Sequence, residues 1–529
     1  MKKTLLRCLA LPVFVFAFPP FHHGTSDGLT VSTTSGQVHG KVDPALPNVH
    51  QFLGIPYAVP PVGNLRWTAP RLLDQPSAHI EATELPVSCP QYLTNQGNSL
   101  YVRDVLQFNL QGLNTTGAIS EDCLTVSVWA PSNATTGKQG GHHRSSSSAA
   151  KSDGLPVLIF IYGGGFSTGG VDVPYQIPAQ WVNRTPDHIV VSFNYRVNVF
   201  GFPNAAGLGE QNFGLLDQRA VVEWCQKNIA AFGGDPDRMV IWGQSAGSIS
   251  VDFYNFAYPT DPIVSGLIMD SGTAESPITT DDTTHSNFTF VAEHVGCSGL
   301  ASAPAQQLAC MRNVSAAKLE DFFASYQESG ATPGLGFDPI VDGAVVFANY
   351  TERAVAGQQA NIPAIIGTNA QDGVPFVTYH PTGPSNQTLV LEALLSTFFC
   401  PATETIRLRQ ETGRLTYRYL YAGNFSNISP KPWMGAYHSS ELPLLMGTHP
   451  DFRGPSTALE YATSAAFQDA YVAFASDPVN GLVAQDWTPY AQIGAGNVRE
   501  FGAAGVAVRD TSIGPTEALC DGAAPAAPL

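Results

Sequence analysis

The chain is poor in positive charge. Against 43 Asp and Glu it sets 26 Lys and Arg, a net charge of −17. That balance argues against nucleic acid or an anionic membrane surface as a partner. Long apolar runs are also scarce. Lys2, Lys3 and Arg7 precede an apolar stretch from Leu9 to Phe18, and no later stretch reads as a bilayer span or a transmembrane anchor. Cysteine and histidine do not cluster at metal-ligand spacing, so neither a metal nor a cofactor is implied. Internal repeats and a linker dividing the chain are absent too.

What is present begins with residues 1–20. A basic start and a short apolar run read as a secretory signal peptide, with Val15 and Ala17 as the small residues before a cleavage site. A secreted, extracellular protein is expected. Asn-x-Ser/Thr sequons stand at Asn114, Asn133, Asn183, Asn287, Asn313, Asn349, Asn386, Asn424 and Asn427, which predicts a glycoprotein with these asparagines at the surface. Cys8 falls in the signal peptide. Of the other seven cysteines, Cys225 sits in an apolar helical pattern and reads as a buried free thiol. Cys89, Cys123, Cys297, Cys310, Cys400 and Cys520 remain, and six cysteines have 15 possible pairings.

The stretch that organises the chain is Gly243-Gln244-Ser245-Ala246-Gly247. A buried-strand pattern, Arg238 to Trp242, precedes it, and a helical pattern to Tyr258 follows. Strand, sharp turn and helix lift a serine Oγ above a sheet, and the two flanking glycines let strand and helix approach. Further strands are predicted at Val126–Trp129, Leu155–Ile161 and His188–Phe193, with a helix over Leu215–Phe232 and an antiparallel hairpin region from Leu29 to Gly54. Strands alternating with helices imply a mainly parallel sheet covered on both faces. Residues 132–154 are Ser-, Gly-, Lys- and His-rich and read as a disordered insertion in a single domain over 28–525.

These stretches, with Phe52–Trp67, Glu121–Val126, Tyr162–Phe166, Asn194-Tyr195-Arg196, Gly214–Gln218 and Asn228–Pro236, resemble the type-B carboxylesterase family, which includes cholinesterases and fungal lipases. The resemblance implies an α/β-hydrolase fold with a large, mostly parallel sheet and a small N-terminal antiparallel region. It also implies a secreted serine hydrolase of carboxylic esters, with a small-molecule ester as its partner. Oligomeric state stays open.

A serine nucleophile needs a base and a carboxylate to orient it, and in this fold the chain order is serine, acid, histidine. His438, in Gly435-Ala436-Tyr437-His438-Ser439-Ser440-Glu441-Leu442, resembles the family's histidine motif, with His449 as runner-up. Asp372, in Gly367-Thr368-Asn369-Ala370-Gln371-Asp372-Gly373, stands where the family usually has glutamate. Being one methylene shorter, it requires a loop that brings its backbone nearer the imidazole. Asp342 reads as a turn residue. Backbone N–H groups of Gly164, Gly165 and Ala246 are the expected oxyanion donors. The resemblance implies disulfides Cys89–Cys123 and Cys297–Cys310, which leaves Cys400 and Cys520 for each other. It also suggests structural ion pairs Arg66–Glu121 and Arg196–Asp217.

Three other functions fit this fold. A cholinesterase of this family uses a tryptophan between the first two disulfide cysteines and a glutamate before the nucleophile; residues 90–122 contain no tryptophan, and position 244 is glutamine. A non-enzymatic binding protein of this fold typically lacks the nucleophile. A lipase or sterol esterase would use the loop 89–123 as a lid. Leu100, Tyr101, Val105 and Phe108 recur there at near-helical spacing, but a short helix packed permanently on the domain explains them as well.

Overall fold

The computed structural model describes residues 28–73, 75–92, 119–135, 154–384, 386–491 and 497–522. The signal segment, Asn114, most of the loop 89–123 and most of the insertion 132–154 lie outside these. The strands, in chain order, are β1 (Thr30–Thr33), β2 (Gly36–His39), β3 (Lys41–Val42), β4 (Val49–Pro56), β5 (Ser77–Glu81), β6 (Thr125–Pro131), β7 (Leu155–Ile161), β8 (Ile189–Phe193), β9 (Gly234–Gln244), β10 (Gly266–Asp270), β11 (Ala364–Asn369), β12 (Thr416–Tyr421), β13 (Asn497–Phe501) and β14 (Val508–Ser512). Eleven of them form one sheet in the order β14-β13-β12-β11-β10-β9-β7-β8-β6-β4-β3.

From β8 through β13 every pairing is parallel. Both edges are antiparallel: β14 on one side, and β6, β4 and β3 on the other. The central strands read as unbroken apolar runs because helices cover both faces. In β7, Pro156 through Ile161 are buried, and in β9 so are Met239 to Trp242.

Local signals explain most element boundaries. The helix Phe213–Asn228 tightens into a 3-10 turn, Ile229–Phe232, and stops at Gly233, whose φ is 87°. The helix expected to run unbroken to Phe232 therefore changes type in its last four residues. Gly233 must lack a side chain, because a Cβ would lie 2.7 Å from that of Ala134.

Ala134 belongs to a short helix, Ser132–Thr135, that continues directly from β6. The expected disordered insertion thus starts too early at 132: the polar run had masked an ordered turn anchored by Ser132 N–H on the Asn48 carbonyl, 2.9 Å. The region Leu29 to Gly54 is antiparallel as expected, β3 pairing with β4 as β1 does with β2, and a later strand adds to it. That strand, β5, joins β2 in parallel, so the small sheet is mixed.

One helical stretch, Gln387–Glu411, is long and apolar enough to cross a membrane by length and composition, contrary to the reading of the sequence. Half of its most apolar window is buried. It carries Cys400, bonded to Cys520, and a fully buried Arg409 that donates to the Ile362 carbonyl at 2.7 Å. Its apolarity is thereby matched to the protein interior.

Disulfides join Cys89–Cys123, Cys297–Cys310 and Cys400–Cys520, 34, 13 and 120 residues apart. In a chain-entropy account each contributes about 3–5 kcal/mol. Cys225 is free and buried. Arg196 and Asp217 form a buried bidentate pair at 2.7 and 2.8 Å, and Arg66 grips Glu121 at 2.5 and 2.6 Å. Removing one partner of such a buried pair typically costs about 3–5 kcal/mol.

Candidate active site

The parallel strands end at one edge of the sheet, and the loops beyond them carry the site, as parallel α/β sheets generally do. β9 ends at Gln244, the helix Ala246–Ala257 begins one residue after Ser245, and Ser245 takes φ 57° and ψ −125°. That conformation is costly for a residue with a side chain. Three contacts hold it. The Ser245 N–H donates to the Asp270 carbonyl at 2.8 Å. A Cβ at Gly243 would sit 2.2 Å from the Gly247 carbonyl oxygen, and one at Gly247 would sit 2.0 Å from that of Ile161. Strand and helix approach this closely only with glycine at both places.

His438 Nε2 lies 2.8 Å from Ser245 Oγ, and His438 Nδ1 lies 2.8 Å from Asp372 Oδ1. Asp372 and His438 are buried. The other Asp372 oxygen accepts from Ser271 Oγ at 2.9 Å and from the Asn369 N–H at 2.8 Å. The shorter carboxylate reaches the ring because the two loops are joined: the Gln371 N–H donates to the Ala436 carbonyl at 3.0 Å, next to a β-bridge between Gln371 and Tyr437.

The glycine loop after β7 passes beside the serine. A Cβ on Gly163 would stand 2.8 Å from that of Ser245. Gly164 and Gly165 have φ of 117° and 60°. Among the described residues, no protein acceptor meets the N–H groups of Gly164, Gly165 or Ala246, so all three can donate to an incoming oxygen. His449 is placed elsewhere: its Nδ1 lies 2.6 Å from Ser456 Oγ. Asp342 caps its own turn, accepting from the N–H groups of Ala344, Val345 and Val346 at 2.9–3.0 Å.

Asn133, Asn313, Asn349, Asn386 and Asn424 are exposed, and Asn183 and Asn287 are half-buried. Asn427 departs from the expected surface position. It is buried, and its Nδ2 donates to the His449 carbonyl and to Ser456 Oγ, each at 2.9 Å. A three-residue sequon carries no information about the packing that occupies that nitrogen.

Several residues around the site carry no signal of their own in the sequence. Ser271 and Asn369 fix Asp372. Phe376 and Phe398 lay their rings 5.2 and 4.5 Å from the His438 ring, centroid to centroid, and Phe376 is 55% exposed. Behind the triad, Asp270 accepts from the hydroxyls of Tyr419 and Tyr471 at 2.8 and 2.7 Å and from Trp242 Nε1 at 2.5 Å. Glu441 accepts from Asn369 Nδ2. Their position at strand ends and in the histidine loop was the available signal; their burial was not readable.

Burial pushes the Asp270 carboxyl up to about 6 and that of Glu441 well above the usual range. It also raises Glu275 and Glu320 to about 7 and Asp338 to about 6. Each group holds its proton more tightly folded than unfolded. Its contribution to stability is therefore full below the ordinary carboxyl value near 4 and is lost as pH rises through the folded value. The expected result is a melting temperature higher at about pH 5 than at about pH 7.5. Calorimetry across that range checks it, and a melting temperature rising with pH would contradict it.

The Carboxylesterase family matches residues 27–393. A chlorogenic acid esterase of Aspergillus niger is 47% identical over 473 residues, 89% of this chain and 87% of that protein. Secreted lipase 5 of Gibberella zeae is 41% identical over 517 residues, 92% of each chain. Mouse cholinesterase is 27% identical over 485 residues, 80% of this chain and 74% of that one.

Proposed function

The chain belongs to the carboxylesterase family, as a type-B carboxylesterase that hydrolyses carboxylic ester bonds, and we propose that it does so by two-step acyl transfer through Ser245. The observation that carries this reading is the line of two 2.8 Å contacts from Ser245 through His438 to Asp372. His438 Nε2 takes the Oγ proton as Oγ attacks the ester carbonyl. Gly164, Gly165 and Ala246 donate to the oxygen that becomes negative, each donor of this kind being worth about 3 kcal/mol of barrier. The imidazolium returns its proton to the alcohol, which leaves an acyl-Ser245. Water, deprotonated by His438, then releases the acid. Asp372, fixed by Ser271 and Asn369, holds Nδ1 in the donor state throughout.

A secreted glycoprotein is part of the same reading. It rests on the basic and apolar first 20 residues, three disulfides and the secreted Gibberella relative. Disulfides persist in oxidising compartments. Asn427 is left out as a glycan acceptor, since it is buried with its amide bonded to the interior.

For the substrate we favour soluble esters of aromatic acids, chlorogenic acid among them, over triglycerides. Support comes from the Aspergillus relative and from the exposed Phe376 ring beside His438, backed by the buried Phe398, which offers an apolar face to an aromatic group. The alternative is a lipase with a mobile lid at 89–123, favoured by the 41% identical lipase. A lid must expose its apolar face when it opens, at about 25 cal/mol per Å² in water and less at a lipid surface.

A substrate panel separates the two. Chlorogenic acid, p-nitrophenyl esters from acetate to palmitate and a medium-chain triglyceride are assayed below and above their solubility limits. The expected result is smooth saturation, with the aromatic and short esters preferred. A steep rise in rate on the triglyceride once emulsion forms would assign the lid reading instead.

A further inference from the structure

Gln244, between Gly243 and the nucleophile, is buried, and its amide nitrogen lies 3.3 Å from His438 Nε2. That ring nitrogen is the one 2.8 Å from Ser245 Oγ. The amide packs against bare backbone: a Cβ on Gly163 would stand 2.9 Å from Gln244 Oε1. We propose that Gln244 is a third partner of the reacting nitrogen of His438, donating to it in the resting enzyme and accepting from it once the imidazolium has formed. The proposal rests on Ser245 and His438 acting as nucleophile and base.

The reasoning follows the proton. With Nδ1–H engaged by Asp372, neutral His438 presents one lone pair at Nε2. In the resting state that lone pair faces both the Ser245 hydroxyl and the Gln244 N–H. When Oγ bonds to the ester carbon, its proton moves to Nε2 and the lone pair is gone. A Gln244 N–H would then meet an N–H. The terminal torsion of glutamine is broad and roughly two-fold, so the amide can turn and present Oε1 as acceptor. The missing side chain at Gly163 gives it room. The proton passes on to the alcohol oxygen, and in the second half-reaction one proton from water travels through Nε2 to Oγ. Gln244 gains and loses none.

A neutral amide can serve both states. A carboxylate could only accept. It would favour the imidazolium before substrate arrives, so the free base would be available only at higher pH.

The groups facing His438 decide how cleanly this can be read. Asp372 reaches it from the loop after β11. Glu441, at the start of the helix Leu442–Met446, and Asp270, at the end of β10, lie behind Asp372. Phe376 and Phe398 face the ring without charge. Asp270, raised by burial to about 6, titrates in the same range as an acid limb and is the control.

The test uses the full chain with Gln244→Glu and Gln244→Met, assayed as kcat and kcat/KM against pH on p-nitrophenyl acetate. For Gln244→Glu the acid limb is expected to move to higher pH by about one unit. For Gln244→Met, kcat should fall about 10-fold at every pH, with KM and melting temperature kept. In an Asp270→Asn background the shift caused by Gln244→Glu should persist. A wild-type acid limb in Gln244→Glu, or wild-type kcat in Gln244→Met, overturns the proposal. Should Gln244→Glu fail to fold, the kcat result of Gln244→Met decides. Labelling of the wild type with a fluorophosphonate keeps the two readings apart: if Ser245 is not the labelled residue, the mechanism itself fails, whatever Gln244 does.

Discussion

Ser245→Ala is expected to lower ester hydrolysis by about 10⁶-fold, and His438→Ala by as much. The two losses do not add, because nucleophile and base act as one unit: without the base, Oγ remains a neutral hydroxyl, and without Oγ the base has nothing to activate. Both proteins should be secreted and melt near the wild-type temperature. Ser245→Ala removes one small hydroxyl whose recorded partner is His438, and the backbone bond from its N–H to the Asp270 carbonyl survives. Relief of the strained turn is not expected, since alanine at φ 57° is no easier than serine. Turnover on p-nitrophenyl acetate, with fluorophosphonate labelling of wild type and variant side by side, is the measurement. Near-normal turnover in Ser245→Ala would refute acyl transfer through that oxygen.

Asp372→Asn is expected to cost about 10⁴-fold in kcat with the fold intact. An amide can no longer stabilise the imidazolium, and it can fix the wrong ring tautomer. Its neighbours sharpen the effect. Ser271 Oγ and the Asn369 N–H both donate to Oδ2, so the asparagine oxygen is drawn to them and its NH₂ is turned toward His438 Nδ1. That arrangement moves the ring proton to Nε2, where Ser245 needs an acceptor. Asp372→Glu probes the spacing from the other side. Asp372 is fully buried and held on Oδ2 by Ser271 and Asn369, so a longer carboxylate is expected to displace Ser271 or open the Gln371–Ala436 bond. Activity in Asp372→Asn within tenfold of wild type would move the orienting role to another carboxylate.

The elbow was legible because its constraints are local. Two glycines, a strand pattern and a helix pattern lie between Arg238 and Tyr258, and the glycines are required by contacts of their own backbone with Ile161 and with each other. The buried strands were legible for a similar reason, being runs of apolar residues whatever they pack against. The partners of Asp372 were not. Ser271 is 101 residues away and Asn369 bonds through its backbone N–H, so neither leaves a pattern in the sequence. In sequence Gln244 stands out only for the charge it lacks, whereas its contact with His438 spans 194 residues. The helix Gln387–Glu411 does not read as one apolar run because Glu392, Pro401 and Glu404 interrupt it, and its last two turns carry Arg407 and Arg409, which the fold sends to different places. Arg407 pairs with Glu404 and Glu411 on the surface, and Arg409 hydrogen-bonds inside.

Cys225 gives an order of events to oxidative folding. A chain with seven cysteines beyond its first 20 residues always carries one thiol too many, and a thiolate exchanges with any disulfide it can reach. In the finished fold Cys225 lies inside the helix Phe213–Asn228, with its thiol acidity suppressed by burial. Deprived of both access and negative charge, it cannot attack its neighbours. The docking of that helix onto the sheet therefore acts as a chemical lock. Until it docks, seven sulfurs are open to exchange; afterwards six are, and those six are the ones joined in the three bridges.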